Sequence, residues 1–352
     1  MIRPAQLLWL AVAGLALGGA GVWLATRHGG EGTAEMSGPV LALKQSELNS
    51  VTRLKIFKGD GSHVTLTRTA AQWLVEERGY PADTGQVRKL LLDLAALQVE
   101  EQKTTDPSLY SKLNVETPSG VQSASTGIDV DAPGRTVGLI VGKTSGTRSV
   151  YVRLAGQAQS LLATPQLAPD ADPRHWLDRS LLDIPPDQVS EVDVTPQGGP
   201  GYTLKRGPAG ASAEFGLTPL PKGRELGDPA APAAQAGALA GLQLDDVRKA
   251  AVHAAVSQSR FQTRDGLTLT LTGIQEGEQR YITLAASGTG AAAQQRAQEL
   301  NARVAGWEFE VPGYRYDTLF RPLEQLLKPL PAPPAKAAKA AHSPILTPQQ
   351  SH

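Results

Sequence analysis

A segment of eighteen residues occurs twice in this chain, and the repetition constrains the fold more than any other feature. Residues 51–68, VTRLKIFKGDGSHVTLTR, align without a gap with residues 189–206, VSEVDVTPQGGPGYTLKR, at an offset of 138. In both segments, alternating apolar residues run into a Gly-containing turn and then into a second alternating run, which is the pattern of a β-hairpin. A third strand pattern follows each copy, at 72–76 and 213–217.

A helical pattern follows the hairpin in the first copy. Asp83, with Gln86 three residues later, predicts the start of this helix through a capping box. In this helix of the first copy, one apolar stripe at helical spacing is formed by Val87, Leu90, Leu91, Leu94 and Leu97. The second copy has its predicted helix in the Ala-rich stretch near 230–241. We therefore predict two related units, each a small antiparallel sheet with a helix covering one face.

Further strand patterns separate and follow the two copies. Four short strands are predicted within 125–164, and a hairpin with Asp265-Gly266 at its turn comes after the second copy. A helix near 291–304, a strand at 306–311 and a last helix near 314–327 complete the pattern. The predicted fold class is α+β: two related antiparallel sheet-plus-helix units with additional short β-strands, preceded by one transmembrane helix.

The apolar amino-terminal stretch predicts that the chain is attached to a membrane. Residues 7–25 carry no charge over 19 positions. A helix of that length spans about 28 Å, close to the roughly 30 Å hydrocarbon core of a bilayer. We interpret the stretch as a signal-anchor, and the alternative is a signal peptide cleaved after Gly18-Gly19-Ala20. Either interpretation sends the bulk of the chain across the membrane.

The stretch that joins the two units, RHWLDRSLLDI at 174–184, is predicted to form a short turn of helix that seals the first unit and ends at Pro185-Pro186. Its apolar face is formed by Trp176, Leu177, Leu181 and Leu182.

These patterns divide the chain into six predicted segments. They are a cytoplasmic flank at 1–6, the span at 7–25, a linker at 26–48, the first unit at 49–184, the second unit at 185–327, and a Pro/Ala/Lys-rich tail at 328–352 that is predicted to be disordered.

Composition excludes several kinds of chemistry. The chain has no Cys, which excludes disulfides, thiolate metal sites and Cys nucleophiles. Lys plus Arg equals Asp plus Glu, with 34 of each. This balance gives no overall attraction to nucleic acid, so no nucleic-acid partner is predicted.

One short motif suggests a nucleotide site. Gly142-Lys143-Thr144 resembles the end of a phosphate-binding loop, but the position of that motif's first glycine holds Val137. A strand pattern rather than a helix follows the motif. We therefore interpret it as a hairpin turn and predict no cofactor.

Other titratable and aromatic residues each have a structural interpretation. The acidic residues Asp170, Asp172, Asp178 and Asp183 could suggest calcium, but the loop lacks the glycine of a calcium-binding turn. The tryptophans that could stack on sugar rings, Trp73, Trp176 and Trp307, lie in apolar runs that favour core packing. The six His, at positions 28, 63, 175, 253, 342 and 352, show no metal-ligand spacing. We predict no catalytic, cofactor-binding or metal-binding residue.

The order of these motifs resembles a known family. The apolar amino-terminal helix and first hairpin are followed by WLV at 73–75, YPAD at 80–83, the Leu-striped helix, SVYVRLAGQ at 149–157 and WLDRSLLDI at 176–184. This order is similar to the domain-of-unknown-function 4340 family of bacterial envelope proteins. The resemblance implies a single-pass protein of the bacterial inner membrane with its bulk in the periplasm. It also implies association with an ABC-type export system of the gliding-motility auxiliary type, whose permease and ATPase are other subunits.

The resulting hypothesis is a non-enzymatic, membrane-anchored periplasmic protein that serves as an auxiliary or docking component of an ABC-type export or envelope complex. The alternatives are an envelope hydrolase or glycan-binding protein using carboxylates such as Asp178 and Asp183, and a structural spacer. Carboxylates converging in a cleft would favour the hydrolase.

Overall fold

The fold is described by a computed structural model for residues 38–207, 214–254 and 256–330. The chain divides into two compact units, unit 1 up to Arg179 and unit 2 from Ser180. The predicted membrane span and most of the predicted tail lie outside the described residues. Among the helices within those residues, none is long and apolar enough to cross a membrane.

Unit 1 is built on one antiparallel sheet. Its strands are β1 (Arg53–Lys58), β2 (His63–Arg68), β3 (Trp73–Val75), β4 (Tyr80–Pro81), β5 (Gln98–Gln102), β6 (Thr126–Ala132), β7 (Arg135–Ser145), β8 (Ser149–Leu154) and β9 (Ser160–Thr164). They run side by side in the order β4-β3-β2-β1-β6-β7-β8-β9-β5. The hairpin of the first repeat copy and the four strands predicted within 125–164 are confirmed.

Two α-helices accompany this sheet, α1 (Thr84–Ala96) and α2 (Tyr110–Leu113). The side chain of Asp83 caps α1, as predicted, by accepting hydrogen bonds from the backbone N–H groups of Gly85 and Gln86. The predicted capping box does not form, because the Asp83 N–H donates to the Trp176 carbonyl and the Gln86 side chain donates to the Asp83 carboxylate. The predicted apolar stripe is buried along the whole length of the helix, from Val87 to Leu97. The sheet-plus-helix organisation of the first unit is therefore confirmed.

Unit 2 contains a second antiparallel sheet. Its strands are β11 (Val189–Thr195), β12 (Tyr202–Arg206), β13 (Phe215–Thr218), β15 (Asp246–Lys249), β16 (Ser257–Thr263), β17 (Leu267–Glu276), β18 (Gln279–Gly288) and β19 (Trp307–Glu310), and a separate pair is formed by β10 (Ser180–Leu182) and β14 (Leu242–Gln243). The order in the main sheet is β13-β12-β11-β16-β17-β18-β19-β15.

The described part of unit 2 contains three α-helices: α3 (Ala231–Ala236), α4 (Ala291–Val304) and α5 (Gly313–Leu319). The bounds of α4 agree with the prediction, and α4 packs against β17 and β18. The last helix was predicted to continue to 327, but α5 ends at Leu319. Pro322 follows shortly after, and a proline lacks the backbone N–H that a continuing helix needs. A short 3₁₀ turn at Leu323–Gln325 replaces the predicted extension.

The two sheets have the same strand order. In unit 1, β3 is followed by the hairpin strands β2 and β1, then by β6 to β9, and β5 lies at the edge. In unit 2, β13 is followed by the hairpin strands β12 and β11, then by β16 to β19, and β15 lies at the edge. The residue pairs agree as well: Leu54 pairs with Leu66 in unit 1, and Val192 pairs with Leu204 in unit 2. Each partner in unit 2 stands 138 residues after its equivalent. The predicted duplication therefore extends over eight strands of each unit.

In each unit, the carboxyl-terminal end forms a backbone hydrogen bond to the segment that precedes the first α-helix of that unit. In unit 1 the Asp178 N–H donates to the carbonyl of Pro81, immediately before α1. In unit 2 the Lys328 N–H donates to the carbonyl of Glu225, ahead of α3. A single β-bridge lies beside each of these bonds, between residues 82 and 177 and between 226 and 327. The contact that Leu177 and Asp178 make at the end of unit 1 therefore has an equivalent at the end of unit 2.

The stretch 174–184 differs from its prediction as a single helical turn. Residues Pro173–Trp176 form a 3₁₀ helix in unit 1, whereas Leu181 and Leu182 lie in β10 of unit 2. Pro185-Pro186 starts another 3₁₀ turn, Pro186–Gln188. The four side chains of the predicted apolar face are buried as expected, but Trp176 and Leu177 belong to unit 1, and Leu181 and Leu182 belong to unit 2. In the predicted linker, Val40, Leu41 and Leu43 are also buried, so this part of the chain packs in unit 1.

Candidate functional site

Four charged or titratable side chains meet at one edge of the unit 2 sheet. Arg248 lies on β15, Glu308 faces it from β19, Glu276 ends β17, and His253 lies in the connection from β15 to β16. We call these four residues the Glu308 cluster. Arg248 and Glu308 are directly opposite each other in the antiparallel ladder, so the strand register brings their side chains together.

Glu308 is the centre of this cluster and its side chain is fully buried. Its Oε1 accepts hydrogen bonds from the Ala251 backbone N–H and from His253 Nε2, both at 2.7 Å. Its Oε2 accepts a hydrogen bond from Arg248 Nε, also at 2.7 Å. A buried carboxylate is costly unless it is paired and hydrogen-bonded, and here three donors meet that requirement.

Arg248 connects the buried carboxylate to a second, more exposed one. Its two terminal nitrogens each donate to one oxygen of Glu276 at 2.8 Å, which is the bidentate geometry of a strong Arg–carboxylate pair. The guanidinium carbon also lies 3.7 Å from the centre of the Tyr281 ring. His253 Nδ1 lies 3.7 Å from Glu276, so the imidazole stands between the two carboxylates.

The pKa shifts in the cluster follow from these contacts. Burial raises the pKa of the Glu308 carboxyl, but the hydrogen bonds from Ala251, His253 and Arg248 outweigh burial, and the pKa lies below its ordinary value. The hydrogen bonds from Arg248 lower the pKa of Glu276. The same bonds, led by those to Glu276, raise the pKa of Arg248. Both carboxylates and the guanidinium are therefore charged near neutral pH.

The cluster binds the chain at residues 251 and 253, shortly after β15. Because Ala251 and His253 bind the same oxygen of Glu308, the residue between them is held on both sides. That residue is Val252, and its side chain is 101% exposed. Val256, further along the same connection, is 38% exposed. The arrangement thus presents an apolar side chain to solvent between two residues that are hydrogen-bonded to Glu308.

The model of one protein family matches this chain. It is described as Domain of unknown function (DUF4340), and the match covers residues 73–260, which is just over half of the chain. The chain belongs to this family. No curated protein and no solved structure matches the chain significantly.

The match covers more than half of unit 1 and slightly less than half of unit 2 of this DUF4340 protein. It runs from β3 through β16 and therefore includes the connection that carries Val252. The family description names no activity. The function must therefore be inferred from the chain's own residues.

Sequence patterns did not single out the Glu308 cluster. In the run WEFE of β19, alternation predicts one polar face, but Glu308 and Phe309 are both fully buried because both faces of the strand are covered. Arg248 and Glu308 are 60 residues apart in sequence and meet through the pairing of β15 with β19. The only local signal was a Glu between two aromatic residues.

The two carboxylates considered for hydrolysis, Asp178 and Asp183, lie in different units of this DUF4340 protein. Asp183 Oδ1 accepts a hydrogen bond from the Gly241 backbone N–H at 2.9 Å, which anchors the chain ahead of β14. Asp178 makes the contact at the end of unit 1 through its backbone N–H, which donates to the Pro81 carbonyl. Each residue therefore has a structural contact within its own unit.

The acidic residues considered for calcium have structural contacts. Asp172 caps the 3₁₀ helix that follows it and pairs with Arg174, with 2.6 Å between the closest atoms. The hydrogen bonds from Arg174 lower the pKa of Asp172 to about 2. Asp170 is hydrogen-bonded to the imidazole of His175. Within the described residues, no group of three His, Asp or Glu side chains could hold a metal ion.

The motif considered for phosphate binding lies inside a strand. Gly142, Lys143 and Thr144 belong to β7, and the hairpin turn begins only at Gly146, whose φ is +65°. The prediction of a turn at the motif itself was therefore wrong. A β-bulge at this point of the β7–β8 pairing disrupts the regular alternation. A side chain at Gly142 would lie 2.3 Å from the Leu113 carbonyl oxygen, so close packing explains the glycine.

The three tryptophans considered for sugar stacking divide into two groups. Trp73 and Trp176 are buried, as core packing predicts. Trp307 is only half-buried, and the Lys249 ammonium lies 3.3 Å from its ring centre. Its side chain therefore forms a cation–π contact at the sheet edge rather than a core contact.

Proposed function

We propose that this DUF4340 protein is a non-enzymatic docking component of a bacterial envelope complex. In this proposal residues 7–25 anchor the chain in the inner membrane, and the two units stand in the periplasm. The partner is an ABC-type export system or another envelope assembly. The observation that carries the proposal is the fully exposed Val252 on a loop fixed by Glu308.

The chemistry of the Glu308 cluster favours docking over catalysis. A general acid or base must reach its substrate within hydrogen-bond distance. The Glu308 side chain is fully buried and accepts three hydrogen bonds from the protein itself. Glu276 is bound at both oxygens by Arg248. These charges are engaged in holding the loop, which is what a preorganised binding element requires.

The energy available from one valine is sufficient for a binding hot spot. Full burial of a Val side chain contributes about 1.5–3 kcal/mol. A loop that is already ordered loses little conformational entropy on binding, so most of that contribution is retained. A partner protein with an apolar pocket for a β-branched side chain therefore fits this loop.

Substitution of Val252 tests the docking role. We expect Val252→Asp in the full-length chain to reduce recovery of ATPase and permease subunits from native membranes at least tenfold, because a charge would enter an apolar pocket without a partner. Val252→Ile should retain recovery, since it keeps the branched apolar shape. Thermal unfolding should not change, because Val252 is fully exposed. Equal recovery by wild type and Val252→Asp, or recovery of neither subunit by wild type, would contradict the proposal.

A topology reporter tests the proposed location. We expect alkaline phosphatase fused after residue 330 to be active, because the enzyme requires export. Replacement of Leu10, Leu15 and Leu17 by Arg should abolish that activity, since each arginine costs about 2.5–3.5 kcal/mol at the centre of a membrane helix. Activity of a cytoplasm-dependent reporter alone at the same position would show that the proposed topology is wrong.

A further inference from the structure

A cavity of about 380 Å³ lies in unit 1 between α1 and the adjoining ends of β2 and β3. The 3₁₀ helix Gln45–Ser50, which precedes β1, contributes a further wall. No Asp or Glu of the described residues lines the cavity. Its wall combines two arginines with four apolar side chains, and these six residues are Arg68, Arg88, Leu48, Trp73, Leu91 and Leu92. The cavity therefore joins positive charge to an apolar surface.

Neither arginine of this cavity is neutralised by a carboxylate of the described residues. Arg68 Nη1 donates a hydrogen bond to the backbone carbonyl of Asn49, which carries no charge. Arg88 is exposed and forms no hydrogen bond or ion pair with another described residue. Arginine stays charged over the whole pH range in which proteins are folded. Two full positive charges therefore border the cavity, and the described chain provides no counter-ion for them.

Unit 2 shows which of the two charges belongs to the duplicated fold. Arg68 pairs with Trp73 across β2 and β3, and Arg206 pairs with Phe215 at the equivalent position of unit 2. Each of these arginines donates to a backbone carbonyl of the 3₁₀ helix that precedes its hairpin. Arg88 differs, because α3, the first α-helix in the described part of unit 2, contains no charged residue. The packing that the two units share therefore accounts for Arg68 but not for Arg88.

We infer that this cavity binds an amphiphilic oxyanion, which is a carboxylate or a phosphate attached to a short apolar chain. The fork of N–H donors on each guanidinium matches the oxygens of either head group. The side chains of Leu48, Trp73 and Leu91 are buried and form the apolar floor, whereas Leu92 is 37% exposed and can be covered by the chain of the ligand. The cavity lies in unit 1 and Val252 lies in unit 2, so this site does not depend on the proposed docking function.

The mixed lining of the cavity selects against simpler ligands. An inorganic anion would bind the guanidiniums but would leave the exposed part of Leu92 in water. An uncharged apolar molecule would cover Leu92 but would displace water from the guanidiniums without replacing its hydrogen bonds, which is unfavourable. The volume lies near the lower end of the range of about 300–1,000 Å³ for ligand pockets, which fits a short chain.

Photo-crosslinking of the full-length chain in native membranes tests this site. The probe is decanoate with a diazirine on its chain, and we expect an adduct on peptides that contain lining residues of α1 or of the 3₁₀ helix. Arg88→Glu should reduce the yield of this adduct about tenfold or more, because it places a negative charge beside the head group. Arg148→Glu makes the same change of charge at an exposed residue outside the cavity and should leave the yield unchanged.

A substitution of Leu92 tests the apolar wall separately. Leu92→Asp should also reduce the yield of the adduct, whereas Leu92→Met should preserve it, since methionine keeps an apolar side chain of similar size. Because both Arg88 and Leu92 are partly or fully exposed, thermal unfolding should show that the variants remain folded. An equal yield of adduct in wild type, Arg88→Glu and Leu92→Asp would overturn the inference.

Competition with unlabelled compounds separates the two parts of the ligand. Octanoate or octyl phosphate should suppress the adduct, whereas octanol and inorganic phosphate at the same concentration should not. Suppression by inorganic phosphate as strong as that by octyl phosphate would show a site for simple anions, and suppression by octanol as strong as that by octanoate would show a site for apolar molecules. Either result would overturn the inference, and so would the absence of an adduct on these peptides.

Discussion

Glu308→Ala should reduce the free energy of unfolding by about 3 kcal/mol, because it removes the only buried carboxylate from the Glu308 cluster. Arg248 would lose a charged partner, and the donors Ala251 N–H and His253 Nε2 would lose their acceptor. Urea unfolding followed by circular dichroism measures this change. The loop that carries Val252 should also lose its protection against hydrogen exchange.

Glu276→Ala provides a matched control for that result. It removes the bidentate partner of the same arginine, but the Glu276 side chain is 42% exposed, and exposed ion pairs contribute little to stability. We therefore expect a much smaller loss from Glu276→Ala than from Glu308→Ala, although Glu276 makes more hydrogen bonds to Arg248. Equal losses from both variants would contradict the assignment of Glu308 as the centre of the cluster.

The pKa of Glu308 adds a dependence on pH. Its pKa in the folded chain lies below the value of 4.5 expected in the unfolded chain. The stabilisation that ionised Glu308 contributes is therefore fully present above about pH 4.5. It is lost as the pH falls through the lower pKa that Glu308 has in the folded chain. Glu308→Gln should be destabilised at neutral pH and should lose less stability than wild type on acidification. A parallel loss in both proteins would show that Glu308 does not contribute to acid sensitivity.

The elements that could be predicted from the sequence are those determined by residues close together in the chain. The hairpins of both copies follow from period-two alternation, and α1 follows from its apolar stripe and the Asp83 cap. Helix α4 was predicted with the bounds that the structure has. In each case the residues that determine the element lie within about fifteen positions of one another.

The candidate site could not be predicted because it depends on pairing between distant strands. Arg248 meets Glu308 only because β15 lies at the far edge of the sheet and pairs with β19. The equivalence of β6 and β16 is likewise invisible in the alignment of the hairpins, because the offset changes from 138 to 131 between the hairpin and the next strand. An alternating pattern defines a strand, but it does not identify the strand's neighbour.

Phe261→Ala should destabilise unit 2 by about 3–5 kcal/mol, since a fully buried phenylalanine in a central strand would leave a cavity. Phe261→Leu, which fills more of the volume, should cost less. Urea unfolding, with hydrogen exchange resolved at β16 and β17, measures both effects. Unchanged stability in Phe261→Ala would contradict the placement of this ring in the core.

The more informative substitution is Phe261→Val, which gives unit 2 the residue that unit 1 has at the equivalent position, Val130. The two positions are equivalent because Val130 pairs with Leu54 and Phe261 pairs with Val192, the counterpart of Leu54 in the repeated hairpin. The duplication preserved the register but changed the packing. The next equivalent pair along the strand is Ile128 in unit 1 and Ser259 in unit 2, where the serine hydroxyl bonds to the Leu319 carbonyl at the end of α5. Because the neighbours differ, we expect Phe261→Val to cost about 2 kcal/mol rather than nothing. A neutral result would contradict this expectation and would show that the packing around this position accepts either residue.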